Sequence, residues 1–168
     1  MKQLFILFTC VSILFIAGCS GKKRPDGMPP THPTTLTFTQ GGTPLEGASI
    51  TLFAQETANA QWSLSGVTDS KGTVKMQTQG FDGVPEGNFK VTVTKQITEG
   101  TAATVESSDL GGSRSAASGD QKSFHLVEKK YRSAISTDLV LEVKPGKNMP
   151  PAYDLGPAVR EEIIVHRD

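Results

Sequence analysis

From Thr34 onward one pattern recurs: apolar residues at alternate positions in short runs, each run closed by glycine, proline or aspartate. Leu36 and Phe38 alternate with threonines in TTLTFTQ, and Ile50 and Leu52 alternate with Ser49, Thr51 and Phe53 in ASITLFAQ. Val74 and Met76 do the same in TVKMQT, Phe89, Val91 and Val93 in NFKVTVTK, and Leu139, Leu141 and Val143 in TDLVLEVK. Successive side chains of a strand point to opposite faces, so a period of two gives each run one apolar and one polar face. Gly41-Gly42, Asp69-Ser70-Lys71-Gly72 and Pro145-Gly146 supply the turns between them. With no helical period intervening, the pattern predicts an all-β fold, a sandwich or barrel of half-buried antiparallel strands over residues 34–168.

The opposite end of the chain obeys a different rule. Lys2 precedes an apolar stretch from Leu4 to Ala17, interrupted only by Thr9, Cys10 and Ser12, and this runs into Gly18-Cys19. A short apolar segment that ends in small residues reads as a secretory signal. A stable span needs roughly 20 apolar residues, and the polar run after Ser20 ends this one too soon. The expectation is a signal peptide over residues 1–18.

Residues 19–33 form the expected linker. Pro25, Pro29, Pro30 and Pro33 remove amide donors and fix φ, which argues against helix or sheet. At about 3.1 Å per residue for a proline-rich spacer, such a tether reaches ~40 Å. Its Lys22-Lys23-Arg24 knot reads either as a headgroup contact or as the solvated start of a linker. A second break falls at residues 99–120 (EGTAATVESSDLGGSRSAASGD), where glycine, serine, alanine and threonine leave little to bury. That composition predicts a mobile loop. Near the end, Glu162-Ile163-Ile164-Val165 reads as an edge strand in preference to a helical turn.

Composition removes several functions. There are 17 basic and 17 acidic residues, and loss of the leader removes only Lys2, leaving 16 against 17. That balance offers no electrostatic reason to bind nucleic acid. Of the two cysteines, Cys10 lies in the leader, so the mature chain has no intrachain disulfide and relies on its core.

Two resemblances are carried by motifs. Ile16-Ala17-Gly18-Cys19 resembles the lipobox of bacterial lipoproteins, which implies diacylglycerol on the Cys19 sulfur and cleavage before that residue. Two or more acyl chains hold a protein firmly to a membrane where one does not. Ser20 at the next position implies outer-membrane sorting where two membranes exist. Within the sandwich, Pro44-Leu45-Glu46-Gly47-Ala48-Ser49-Ile50, Thr68-Asp69-Ser70-Lys71-Gly72 and Pro85-Glu86-Gly87-Asn88-Phe89-Lys90-Val91-Thr92-Val93 occur in that order. Together they resemble carboxypeptidase regulatory-like domains over roughly residues 34–148. The resemblance implies a transthyretin-like (prealbumin-like), seven-stranded Greek key used as an accessory, adhesive or carrier module with no shared catalytic residue, and no cofactor is expected.

The side chains suited to chemistry are few. His32, His125 and His166 lack metal-ligand spacing with one another or with a free cysteine. No nucleophile elbow of the G-x-S-x-G kind occurs. Tyr131-Arg132-Ser133 resembles part of the terminal signature of transthyretin-like hydroxyisourate hydrolases, but it is internal and lacks the glycine. A hydrolase reading would require His125, Arg132 and an acidic residue in one pocket. Sugars stack on aromatic faces, which makes Trp62, Tyr131 and Tyr153 the candidate ligand-stacking residues. The leading expectation is therefore a non-catalytic envelope lipoprotein, held to the membrane through Cys19, that contacts envelope proteins or polysaccharide. A glycan-binding surface module is the alternative, and a transthyretin-like hydrolase stands third.

Overall fold

A computed structural model of the chain describes residues 23–100 and 121–164. The expected leader and Cys19, most of the 99–120 loop, and His166 lie outside the described residues.

The first strands among the described residues are β1 (Thr31–His32), β2 (Thr35–Gln40), β3 (Thr43–Pro44) and β4 (Ser49–Ala54). A short 3-10 turn, η1 (Thr57–Asn59), leads to β5 (Leu64–Val67), β6 (Thr73–Lys75), β7 (Gln77–Thr78) and β8 (Phe81–Asp82). Then come β9 (Val84–Pro85), the long β10 (Gly87–Thr94) and β11 (Gln96–Glu99). Past the loop are β12 (Lys122–His125), η2 (Lys129–Arg132), β13 (Val140–Val143), β14 (Tyr153–Asp154) and β15 (Glu161–Glu162).

One antiparallel sheet has the order β13-β10-β4-β5-β7-β8. Its longest strand is β10, which pairs Phe89–Thr94 with Ala54–Ser49 on one side and Gly87–Lys90 with Val143–Val140 on the other. Opposite it, β2 pairs with β3, β6 and β14. The layers share a single core: Leu36 and Phe38 from β2, Ile50 and Leu52 from β4, and Phe89, Val91 and Val93 from β10. Leu64, Val74, Leu141 and Val143 complete it, so the alternation seen in the sequence selects the buried face of every long strand. The fold is an all-β sandwich. A third, smaller sheet, β11-β12-β15, stands apart from this core with its residues exposed or half-buried.

The structure departs from expectation in four places. The linker is not wholly outside the sheets: Thr31 and His32 pair with Pro85 and Val84, and Asn148 N–H donates to the Pro33 carbonyl at 2.8 Å. Proline spacing leaves this pair of residues free to bond, which the proline count alone obscures. Strand β14 runs parallel to β2, as does the Thr34–Asn148 bridge, against the antiparallel expectation. Glu99, the first residue of the expected 99–120 loop, closes β11 in register with Lys122. Finally, the apolar tail forms its strand at Glu161–Glu162, and Ile163 N–H donates to Ser123 O at 2.8 Å.

The resemblance motifs meet in space. Thr68 is buried, and its hydroxyl donates to Leu45 O at 2.5 Å while accepting from Ala48 N–H at 2.8 Å. That hydroxyl fastens the turn before β4 to the strand end before the Asp69 hairpin. Asp69 Oδ1 accepts from the amides of Lys71 and Thr73, both at 2.9 Å. Gly72 has φ +70°, and a Cβ there would stand 2.3 Å from the Phe38 carbonyl oxygen. Only glycine meets both the turn and the contact.

Candidate functional site

Two clefts share one wall, the loop between β4 and β5. Glu56 follows β4, η1 turns the chain, and Trp62 N–H donates to Asn59 O at 3.2 Å, which sets the indole just before β5. The first cleft, about 360 Å³, is formed by Thr51–Ala54 of β4 and Ala60–Leu64. Trp62 lies half-buried in it and packs on the core, while Phe53 beside it is 47% exposed. Thr51, Gln61 and Ser63 supply polar groups in the same wall. The buried Trp62 Nε1 has no hydrogen-bond partner among the described residues. A volume of this size lies at the lower end of the range of small-ligand sites, about 300–1,000 Å³.

The second cleft, about 640 Å³, lies on the other side of the same loop. Asn59 is 7% exposed and donates through Nδ2 to Glu86 O at 2.8 Å, and Asn88 Nδ2 donates to Glu56 Oε1 at 3.3 Å. Glu56, Glu86 and Glu142 give it three carboxylates against the ammonium of Lys144, which pairs with Glu142 at 3.2 Å. Gly87 lies in its wall at φ +144°, and a Cβ there would come within 3.1 Å of Asn59 Nδ2 and 3.2 Å of Glu56 Oε2. This cleft carries no aromatic residue and is suited to a cationic group more than to an anion.

The three expected stacking aromatics are not brought together. Tyr131 is 6% exposed and belongs to the core, with the Lys130 ammonium 4.5 Å from its ring centroid. Tyr153 stacks on Phe38 with centroids 5.3 Å apart, and its hydroxyl donates to Val140 O at 2.9 Å. The ring thus belongs to the β2 layer and the hydroxyl to β13 of the facing sheet, so Tyr153 ties the two layers together. Its partial burial raises the phenol above its ordinary value, because the phenolate would be desolvated there. Neither tyrosine lines the Trp62 cleft. Both were singled out as aromatics, and burial explains their use: a large ring contributes most when covered.

The residues named for a hydrolase do come together. His125 on β12 lies in register with Glu161 on β15, and the half-buried Arg132 donates through Nη2 to Glu161 Oε2. His125 Nδ1 lies 3.3 Å from Gln96 Nε2. Burial first, and the Arg132 charge second, hold His125 below the ordinary histidine value. Neither of the two clefts is lined by these three residues. Arg132 is matched to Glu161, so the cluster joins η2 to the last described strand.

Of the remaining histidines, His32 Nδ1 accepts from Gly146 N–H at 3.2 Å. Among the described residues no group of three or more His, Cys, Asp or Glu side chains is placed to hold a metal ion. Sequence reading named Thr68 within a turn motif but gave its hydroxyl no role, and it passed over Asn59, whose burial depends on a distant carbonyl. Neither a family model, a curated protein nor a solved structure matches this chain.

Proposed function

We propose that this chain is a lipid-anchored envelope lipoprotein whose sandwich is a non-catalytic interaction module. One sheet face carries the reading. Phe53 on β4, Val67 on β5 and Val140 on β13 are 47%, 63% and 55% exposed, and register places all three on the face opposite the core. Ser49 opposes Val67, while Lys90 opposes both Phe53 and Val140, so these apolar side chains stand among polar ones on one surface. Exposed apolar side chains set among polar ones give such a face groups of both kinds for contact with a protein surface.

The finer family reading belongs to the same proposal: a transthyretin-like Greek key of the carboxypeptidase regulatory-like kind. The bonds from Thr68 to Leu45 and Ala48 support it, since they give two of the resembling motifs a joint structural purpose. Anchoring rests on Ile16-Ala17-Gly18-Cys19 after the apolar leader, and Ser20 favours the outer membrane. Fatty-acid labelling tests the anchor: Cys19→Ser is expected to abolish the label and leave an unprocessed precursor, and equal labelling of both proteins overturns it. Capture from native envelopes tests the module. Phe53→Asp with Val67→Asp is expected to release the captured protein without shifting Tm, and unchanged capture overturns this use of the face.

A second reading, glycan binding, is favoured by one observation: the half-buried Trp62 beside the exposed Phe53 in a cleft with hydroxyl and amide groups. A saccharide that loses affinity on Trp62→Ala, but not on Tyr153→Phe, would decide for it.

A further inference from the structure

We infer that the end of the sandwich formed by β1 and β9 faces the bilayer and is held close to it. This deepens the lipid-anchor reading and rests on it. The linker ends sooner than its prolines suggest. Thr31 and His32 are in the sheet with Pro85 and Val84, and the Thr31 hydroxyl also donates to Asp82 O at 3.0 Å. Ahead of them Arg24 folds back, donating through Nη2 to the Pro29 carbonyl and to Thr31 Oγ1 at 3.4 Å, while Met28 N–H donates to Pro25 O. Residues 24–31 therefore close a loop against the domain. At no more than ~3.6 Å per residue, the five steps from Cys19 to Arg24 reach about 18 Å, against about 43 Å for an open chain from Cys19 to Thr31.

Topology then orients the molecule. Strand β9 feeds through Glu86 into Gly87, the first residue of β10, and β1 feeds into β2. Both long strands thus begin at the anchored end. Strand β10 covers its eight residues, roughly 26 Å at ~3.3 Å each, before the chain enters β11. Because β4 is antiparallel to β10, its Ser49 end lies with Thr94 at the far side, and the Glu46-Gly47 turn precedes it there. Both clefts border the anchored end, through Ala54 in one and Gly87 in the other. The partner of this end is a lipid surface; Lys22 and Lys23 lie in the linker between Cys19 and Arg24, and the Arg24 guanidinium is occupied by Pro29 and Thr31.

The test uses the acylated full chain purified from bacterial membranes. Acylation consumes the Cys19 thiol, so a maleimide fluorophore reacts only with a new cysteine, at the exposed Glu86 (E86C) or the exposed Glu46 (E46C). Each protein is bound to phosphatidylethanolamine–phosphatidylglycerol vesicles doped with a nitroxide-headgroup lipid. The expected result is stronger quenching at position 86 than at 46, with the difference lost when about 20 Gly/Ser residues, adding roughly 25 Å of reach, are inserted after Ser20. Flotation with the vesicles but equal quenching at both positions overturns the orientation alone. Failure to float overturns the anchor and the orientation together. Arg24→Ala is expected to lessen the difference without altering flotation, and an undiminished difference removes the Arg24 bridge from the explanation.

Discussion

Two sheets of this molecule are held by different physics. Around β10 the six-stranded sheet packs Phe89, Val91, Val93, Leu141 and Val143 against Leu36 and Phe38, all 3% exposed or less. The β11-β12-β15 sheet has little to bury and is laced by charge: Lys122 pairs with Glu162 at 3.2 Å, Arg160 with Glu99 at 2.5 Å, and Arg132 with Glu161. Arg160 also lies over the Phe124 ring at 4.0 Å. Burial of apolar surface is not screened by salt, whereas exposed ion pairs are screened and contribute little singly. The first sheet fixes the fold. The second keeps the residues flanking the 101–120 segment in place at little thermodynamic depth.

The comparison breaks most sharply in the core. Phe89→Ala is expected to cost about 3–5 kcal/mol by denaturant unfolding, and a much smaller loss would mean that Phe89 is not packed in the core. Next come the backbone devices. Gly87→Val is expected to cost about 1–3 kcal/mol, since φ +144° is a region almost confined to glycine; an unchanged Tm would contradict that conformation. Thr68→Val leaves the Ala48 amide and the Leu45 carbonyl without their hydroxyl partner, and about 1–3 kcal/mol of destabilisation is expected.

Effects on the charged sheet are smaller and depend on conditions. Arg160→Ala is expected to leave global Tm nearly unchanged and to speed amide exchange in β11 and β12 at low salt, with the difference erased at high salt. A salt-independent effect would assign Arg160 a packing role. His125 should produce the gentlest effect. Its folded value lies below 6.5, so the stability it contributes is present above pH 6.5 and lost as pH falls through the folded value. Replacement by glutamine should flatten that acid slope, and an identical slope would place the acid sensitivity elsewhere.

Much of the fold was legible because strand periodicity is local. The alternation at Leu36 and Phe38, at Ile50 and Leu52, and at Phe89, Val91 and Val93 chose the buried faces correctly, since a strand's sides are set by neighbouring residues alone. The Asp69 turn was legible for the same reason. The candidate aromatics were not. Residue type marks Trp62, Tyr131 and Tyr153 alike, yet one lines a cleft, one fills the core and one ties two layers. The linker boundary failed similarly, because Thr31 and His32 find their partners more than fifty residues away, at Val84 and Pro85.

The amino-acid order alone therefore determined the strand-rich body, its turns, its near-neutral charge and an apolar stretch from Leu4 to Ala17 ahead of Gly18-Cys19. These follow from composition and from spacing within a few residues. Tertiary structure alone decided that β14 runs parallel to β2, that Arg132 meets Glu161 beside His125, and that two clefts flank one loop. Such pairings depend on which distant segments close together, and chain closure leaves no local periodic trace.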